Sequence, residues 1–170
     1  YFDNGRYHTP AGFGRVRSQE TDPDIRIKSK LILKNHEINN IEEILLEVKN
    51  KKACHGKGVL YASILHNISF EKAFLFSNKM VKKGLIPYGP FVRGGTNCSR
   101  FVAKVMQESA SSNFISLRLM LPITISPSPK RNVSIANANF YKVTKDNCRL
   151  IKRSLFSSYF KSLENVLYSR

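Results

Sequence analysis

The sequence predicts an α+β fold, a small antiparallel sheet packed against a helix that starts at a cysteine. Three observations lead there. Apolar residues recur at helical spacing in four segments. Other apolar runs are short, β-branched or alternating, as strands are. Between them, Gly94-Gly95-Thr96-Asn97-Cys98 releases the chain from a turn directly into helix spacing.

Taken in order, residues 1–24 read as irregular, because Gly5, Pro10, Gly12, Gly14 and Asp22-Pro23-Asp24 are too closely spaced for a long element. An irregular segment is expected over 1–40 as a whole, with an extended stretch from Ile25 to Leu33 inside it. His8 reads as a loop histidine. Asn39-Asn40 caps a helix from Ile41 to Lys49, with Glu42 and Glu43 in its first turn and Ile41, Ile44, Leu45 and Val48 on its apolar face. Val59 to Leu65 reads as a buried strand preceded by two glycines, with His55 before it and His66 and Asn67 just past it.

Ser69 caps a second helix, Phe70 to Lys83, ended by Gly84, with Phe70, Ala73, Phe74, Leu75 and Val81 as its core face. Ile86 to Phe91 is a proline- and glycine-rich turn holding Tyr88. Thr96 or Asn97 caps the cysteine helix, whose stripe is Phe101, Val102, Val105 and Met106. Phe114 to Ile125 suggests a strand interrupted at Pro122, residues 126–132 a loop, Val133 to Val143 a strand, and Cys148 to Tyr168 an amphipathic helix within a helical C-terminal region 146–170. No repeat or dividing linker appears, so 170 residues are expected to form one domain.

Apolar content of 42% excludes wholesale disorder, and no apolar run is long enough to span a bilayer. Tyr1 is not a methionine and no signal-peptide pattern follows it, which reads as a processed or truncated start. Cys54, Cys98 and Cys148 are too few and too scattered for a disulfide framework. They suit a reducing compartment such as the cytoplasm, or an exported enzyme with a working thiol. No zinc spacing is present, and no cofactor is expected. Charge is lopsided. Residues 1–71 carry 11 Lys and Arg against 9 Asp and Glu, while residues 72–170 carry 17 against 3. The basic second half is either a solvated surface or a face for nucleic acid or another anionic surface.

The chemistry concentrates at Cys98. In a helix's first turn, orphan amides and the helix dipole favour the thiolate and lower the thiol's pKa. The plainer role is a small residue packing the helix onto a core. A working thiol needs a base, and the base needs a polar group to orient it. The sequence supplies His55 as base and His66 or Asn67 as orienter, with Glu71 a further option already explained by the helix dipole. The Cys98 backbone N–H is the expected oxyanion donor. Cys54 is a poorer nucleophile, being adjacent to His55 in a strand register that points neighbours to opposite faces. Tyr88, Arg93, Arg100 and Lys104 are candidates for the substrate side, the three cations suiting an anionic substrate.

Asn97-Cys98-Ser99-Arg100-Phe101-Val102 resembles the N-C-x-x-F-V that begins the catalytic helix of circularly permuted papain-like proteins. These are NlpC-type relatives that include the lecithin–retinol acyltransferase group, in which the histidine strand precedes the cysteine helix. The resemblance covers residues 50–108. It implies a permuted papain-like core over about 50–145, with Cys98 as nucleophile, His55 as base and His66 or another polar residue as third member. Gly56-Lys57-Gly58 departs from the family pattern, where an apolar strand follows the histidine directly, and leaves His55 and His66 both open as the base. The implied activity is cysteine-dependent hydrolysis or acyl transfer on an amide or ester, as on cell-wall peptides or lipids. The alternative is a non-catalytic basic module on the same scaffold, docking nucleic acid or an anionic surface.

Overall fold

The computed structural model describes residues 1–35, 37–54, 58–111, 113–120 and 129–154. Its strands are β1 (Phe2–Gly5), β2 (Phe13–Ser18), β3 (Leu33–Lys34), β4 (Glu37–Ile38), β5 (Leu60–Ala62), β6 (Ile86–Pro87), β7 (Phe140–Val143) and β8 (Cys148–Ile151). Its helices are α1 (Ile41–Asn50), α2 (Phe70–Lys82), α3 (Cys98–Ser109), α4 (Asn113–Met120) and α5 (Pro129–Ala136). The fold is α+β with small antiparallel sheets, the class the sequence predicts.

One sheet runs β1-β2-β6 and a second runs β5-β7-β8, while β3 and β4 form a separate short hairpin. Between the two sheets' elements lies α3, packed on α2, α4, α5 and β1. Ala103 and Met106 on α3 join Leu119 of α4 and Ile135 of α5 in a buried cluster. Ser99, Phe101 and Ser109 are also buried, whereas Val102 is 45% exposed. The helix therefore turns a different edge inward than its most apolar stripe suggests. Small serines let neighbouring elements approach, and Val102 is left beside a cavity.

Three helices match expectation in type and place. The Ser69 hydroxyl accepts the Lys72 N–H at the head of α2, and Gly84 ends that helix region with φ of 65°. On α2 the inward face is Ala73, Phe76, Ser77 and Met80, a clean i, i+3, i+4, i+7 set. Phe70 is 77% and Leu75 59% exposed, correcting the expected face. Asn40 precedes α1 without capping it. Its side chain instead accepts the Ile32 N–H and donates to the Lys30 carbonyl, tying the preceding loop to the helix.

Several other expectations are corrected. Residues 1–24 hold the β1–β2 hairpin, because Phe2 to Gly5 and Phe13 to Ser18 find each other as partners and outweigh the turn-forming glycines between them. Ile25 to Leu33 is mostly not extended. A 3₁₀ turn at Pro23–Ile25 buries Ile25 completely, and pairing begins only at Leu33. The strand expected over 59–65 shrinks to half-buried β5, with Val59 40% exposed. The Ile86 turn also supplies a strand, β6, paired with β2.

Residues 113–120 are helical. Leu117 and Leu119 alternate, yet Ile115 and Leu119 also stand one helical turn apart, and packing on α3 selects that reading. The expected 126–132 loop gives way at Pro129, which starts α5 in the position where a missing N–H costs nothing. Val133 to Ala136 therefore belongs to a helix, and strand structure is confined to Phe140–Val143. Cys148–Ile151 is a strand because it pairs residue for residue with β7, Cys148 opposite Val143. The rest of the predicted C-terminal helix, residues 155–168, lies outside the described residues, as do residues 121–128.

Candidate active site

Asn97 holds the start of α3 in extended conformation, and its Oδ1 accepts the Arg100 N–H at 2.8 Å. Cys98 is thereby the first helical residue, and it is exposed. The loop leading to it is fixed by several polar contacts. Thr96 donates its backbone N–H to the Pro87 carbonyl at 2.8 Å, and its buried Oγ1 accepts from Asn4 Nδ2 at 3.1 Å. Arg100 reaches back to the Val92 and Pro90 carbonyls at 3.1 and 2.6 Å. This guanidinium braces the loop that presents the cysteine, while Arg93 is exposed. Gly94 has φ of 71°, and a Cβ on Gly95 would stand 2.6 Å from the Pro87 carbonyl oxygen. Both glycines are required by the backbone itself.

Tyr88 comes directly to the cysteine. The Cys98 N–H donates to the Tyr88 hydroxyl at 3.3 Å, and the thiol stands close enough for its charge to act on that hydroxyl. Burial, and then the neighbouring Cys98 charge, raise the Tyr88 pKa, so its hydroxyl stays protonated at neutral pH. The ring rests on β2 at Gly14, where any Cβ would collide with it, and the Tyr88 N–H donates to the Gly12 carbonyl at 2.8 Å. The N-terminal hairpin is thus the bed on which this phenol lies.

A cavity of about 390 Å³ opens beside Cys98, between β5, α3 and α5. Tyr61, Ala62 and Ser63 border it on one side and Asn132, Val133 and Ala136 on the other. The structure so brings Cys98 together with Tyr88 and with the strand that follows His55 in sequence. His55 itself lies outside the described residues. His66 and Asn67 are exposed beyond the end of β5, and Asn67 has φ of 54° with its carbonyl accepting the Ser111 N–H. His8 is exposed with φ of 52°. Glu71 is exposed in the first turn of α2, and Lys104 borders a separate groove with Arg100.

The other thiols differ from Cys98. Cys54 is half-buried with its sulfur 3.4 Å from the Tyr1 hydroxyl. Cys148 is half-buried in β8, where burial and then Glu42 push its thiol pKa up. Asn132 was not legible as a site residue, because Ser126-Pro127-Ser128-Pro129 reads as loop. The available signal was Pro129 followed by Val133 and Ala136 at helical spacing. Among the described residues, no three His, Cys, Asp or Glu side chains could hold a metal ion, and no helix is long and apolar enough to cross a membrane.

A family model, type VI secretion system effector TseH-like, matches residues 1–115. No curated protein and no solved structure gives a match. The matched residues include the hairpin, Tyr88, the loop and the whole of α3, and the family's function is of the papain-like cysteine hydrolase kind. Matched over two thirds of its length, with an exposed cysteine leading a capped helix at a cavity's edge, the chain belongs to the TseH-like family of type VI secretion system effectors.

Proposed function

We propose that this effector is a cysteine-dependent amide hydrolase of permuted papain-like order, with Cys98 as nucleophile and His55 as general base. The observation that carries this reading is the exposed Cys98 at the first position of α3, its amide and thiol both beside the Tyr88 hydroxyl. His55 takes the thiol proton, and the sulfur attacks the substrate carbonyl carbon. The carbonyl π electrons move onto oxygen, which takes the Cys98 N–H from the Tyr88 hydroxyl, and that N–H and the Tyr88 O–H hold the developing charge. Collapse re-forms the carbonyl and breaks the C–N bond, and the histidine returns its proton to the departing amine. Water, deprotonated by the same histidine, then attacks the thioester. That second collapse expels the Cys98 sulfur and releases the acid. His66 or Asn67 orients the base.

Membership in a secretion-effector family supports a substrate in the cell that receives the protein, and a peptide amide such as that of a cell wall fits the hydrolase chemistry. The pH profile of Cys98 alkylation by iodoacetamide tests the nucleophile. A thiol reacting well below pH ~8.5 supports the reading, and one reacting only as an ordinary cysteine does opposes it. Binding to an anionic polymer that falls steeply with salt, together with an inert Cys98, would instead favour the basic docking module.

A further inference from the structure

The cavity beside Cys98 is walled by hydrocarbon, with Ala62, Val102, Met106 and Val133 around it. One polar side chain in that wall is anomalous. Asn132 is only 3% exposed, and its Nδ2 donates to the Ser99 carbonyl at 2.8 Å. A carbonyl can only accept, so the amide orientation is fixed, with Nδ2 toward Ser99. Asn132 Oδ1 then has no hydrogen-bond partner among the described residues, and it is sealed from water. A buried acceptor left unpaired keeps its full desolvation penalty, which a ligand donor removes. Cys98 and Asn132 both line this cavity, so the acceptor and the thiol border the same space.

We infer that this cavity is the acyl-side subsite and that Asn132 is its specificity residue, selecting a peptidyl group with an apolar side chain and a backbone N–H. The inference rests on the hydrolase reading of Cys98. The apolar side chain fills the space between β5 and α5, while a small rotation of the Asn132 amide offers Oδ1 to the substrate N–H and keeps Nδ2 on Ser99. A fatty acyl group fills the same space but carries no N–H. The unpaired acceptor therefore favours peptide over lipid.

The test compares aminomethylcoumarin amides of N-acetyl-leucine, N-acetyl-aspartate and N-acetyl-N-methyl-leucine, together with 4-methylpentanoyl aminomethylcoumarin, which keeps the branched chain and has no acyl-side N–H. With the wild-type protein, kcat/KM should be about 100-fold higher for the leucyl reporter than for each of the other three. Asn132→Leu should bring the leucyl and N-methyl-leucyl rates together, read as the ratio of the two within the variant. Because Asn132→Leu also removes the tie to Ser99, Val102→Trp gives an independent check. It fills the cavity from an exposed position and should abolish the preference for leucine over aspartate. Turnover that ignores side chain and N-methylation, or that is fastest on the methylpentanoyl reporter, overturns the subsite assignment while leaving the hydrolase intact. Turnover on no reporter, together with a Cys98 that iodoacetamide labels no faster than Cys54, removes the hydrolase reading and this inference with it.

Discussion

Residues 1–115 and residues 129–154 meet at Cys98, and they contribute different things. The first region holds the cysteine, its cap Asn97, the Tyr88 phenol and the hairpin beneath that phenol. It is also the region the family model matches. The second region supplies the opposite wall of the cavity, through Pro129, Asn132, Val133 and Ala136, and the strands β7 and β8 that continue the sheet from β5. One region is dense with polar contacts that fix a reactive group. The other offers the far wall of the cavity, where Asn132 Oδ1 is unpaired among the described residues. The proposed chemistry thus lies in the matched region, whereas the proposed substrate choice draws on both, with Val102 on one side of the cavity and Asn132 on the other. Substitutions on the two sides should therefore fail in different ways.

The largest difference is expected at the cysteines. Cys98→Ala should lower amide turnover by about 10⁴-fold or more, since the nucleophile has no substitute. Cys148→Ala, across the divide, should leave turnover within about twofold. Equal losses in both variants, measured on proteins with matched circular dichroism, would erase the distinction between the regions.

The next effect is on folding. Arg17 is buried, and its guanidinium grips Asp3 through Nε at 2.9 Å and Nη2 at 2.7 Å. The same Nη2 donates to the Ala53 carbonyl at 3.0 Å, and the group lies over the Tyr7 ring. Arg17→Met leaves Asp3 without its partner and should cost about 3 kcal/mol in urea unfolding. Arg17→Met combined with Asp3→Leu should recover part of that loss, because the stranded charge goes too. A single variant as stable as wild type would mean that the hairpin does not depend on this pair.

These contacts also show what the sequence could and could not disclose. The start of α3 was readable because everything that makes it lies within a few residues: glycines for the turn, Asn97 for the cap, Cys98 next in line. The helices α1 and α2 were readable for the same reason. The β1–β2 hairpin was not, since its strands are defined by pairing with each other and by the long-range Arg17 and Asn4 contacts. Helix α4 was misread because a leucine-rich run fits both periods until a neighbour is chosen. Cys148 shows the reverse error: an apolar stretch at helical spacing became a strand because β7 was there to pair with it. At the site, Tyr88 was visible as a candidate, whereas Asn132 depended on α5 being a helix at all.

Tyr88→Phe probes the chemistry within the first region. Loss of the hydroxyl removes one donor from the proposed oxyanion site and should lower kcat by about 100-fold with KM little changed. Gly14→Ala should act in the same direction by displacing the ring from β2, although residue 14 touches no substrate. A fall in KM-dependent terms alone, with kcat kept, would move Tyr88 to ground-state binding and weaken the assignment of chemistry to this side.

The smallest effect concerns a carboxylate remote from the cavity, and it asks whether the first region's polar contacts extend to its periphery. Glu47 on α1 accepts the Lys28 N–H at 2.7 Å and the Ser29 N–H at 2.8 Å. Burial pushes its pKa up, but these two bonds and Ser29 and Lys51 side-chain contacts outweigh it, and the carboxyl titrates at about 2. The folded value lies below the unfolded value of about 4.3, so the stabilisation is complete above that pH and is lost as pH falls toward 2. Glu47→Gln should therefore lower Tm by roughly 2–4 °C at pH 7, corresponding to about 1 kcal/mol. The gap should close as the pH falls from 5 to 2, because the wild-type carboxyl becomes neutral too. Asp22, whose pKa is also lowered against burial by Arg15 and Thr21, titrates in both proteins and cancels from the difference. A gap that stays constant down to pH 2 would show that the side chain's shape, and not its charge, holds the 28–29 loop to α1.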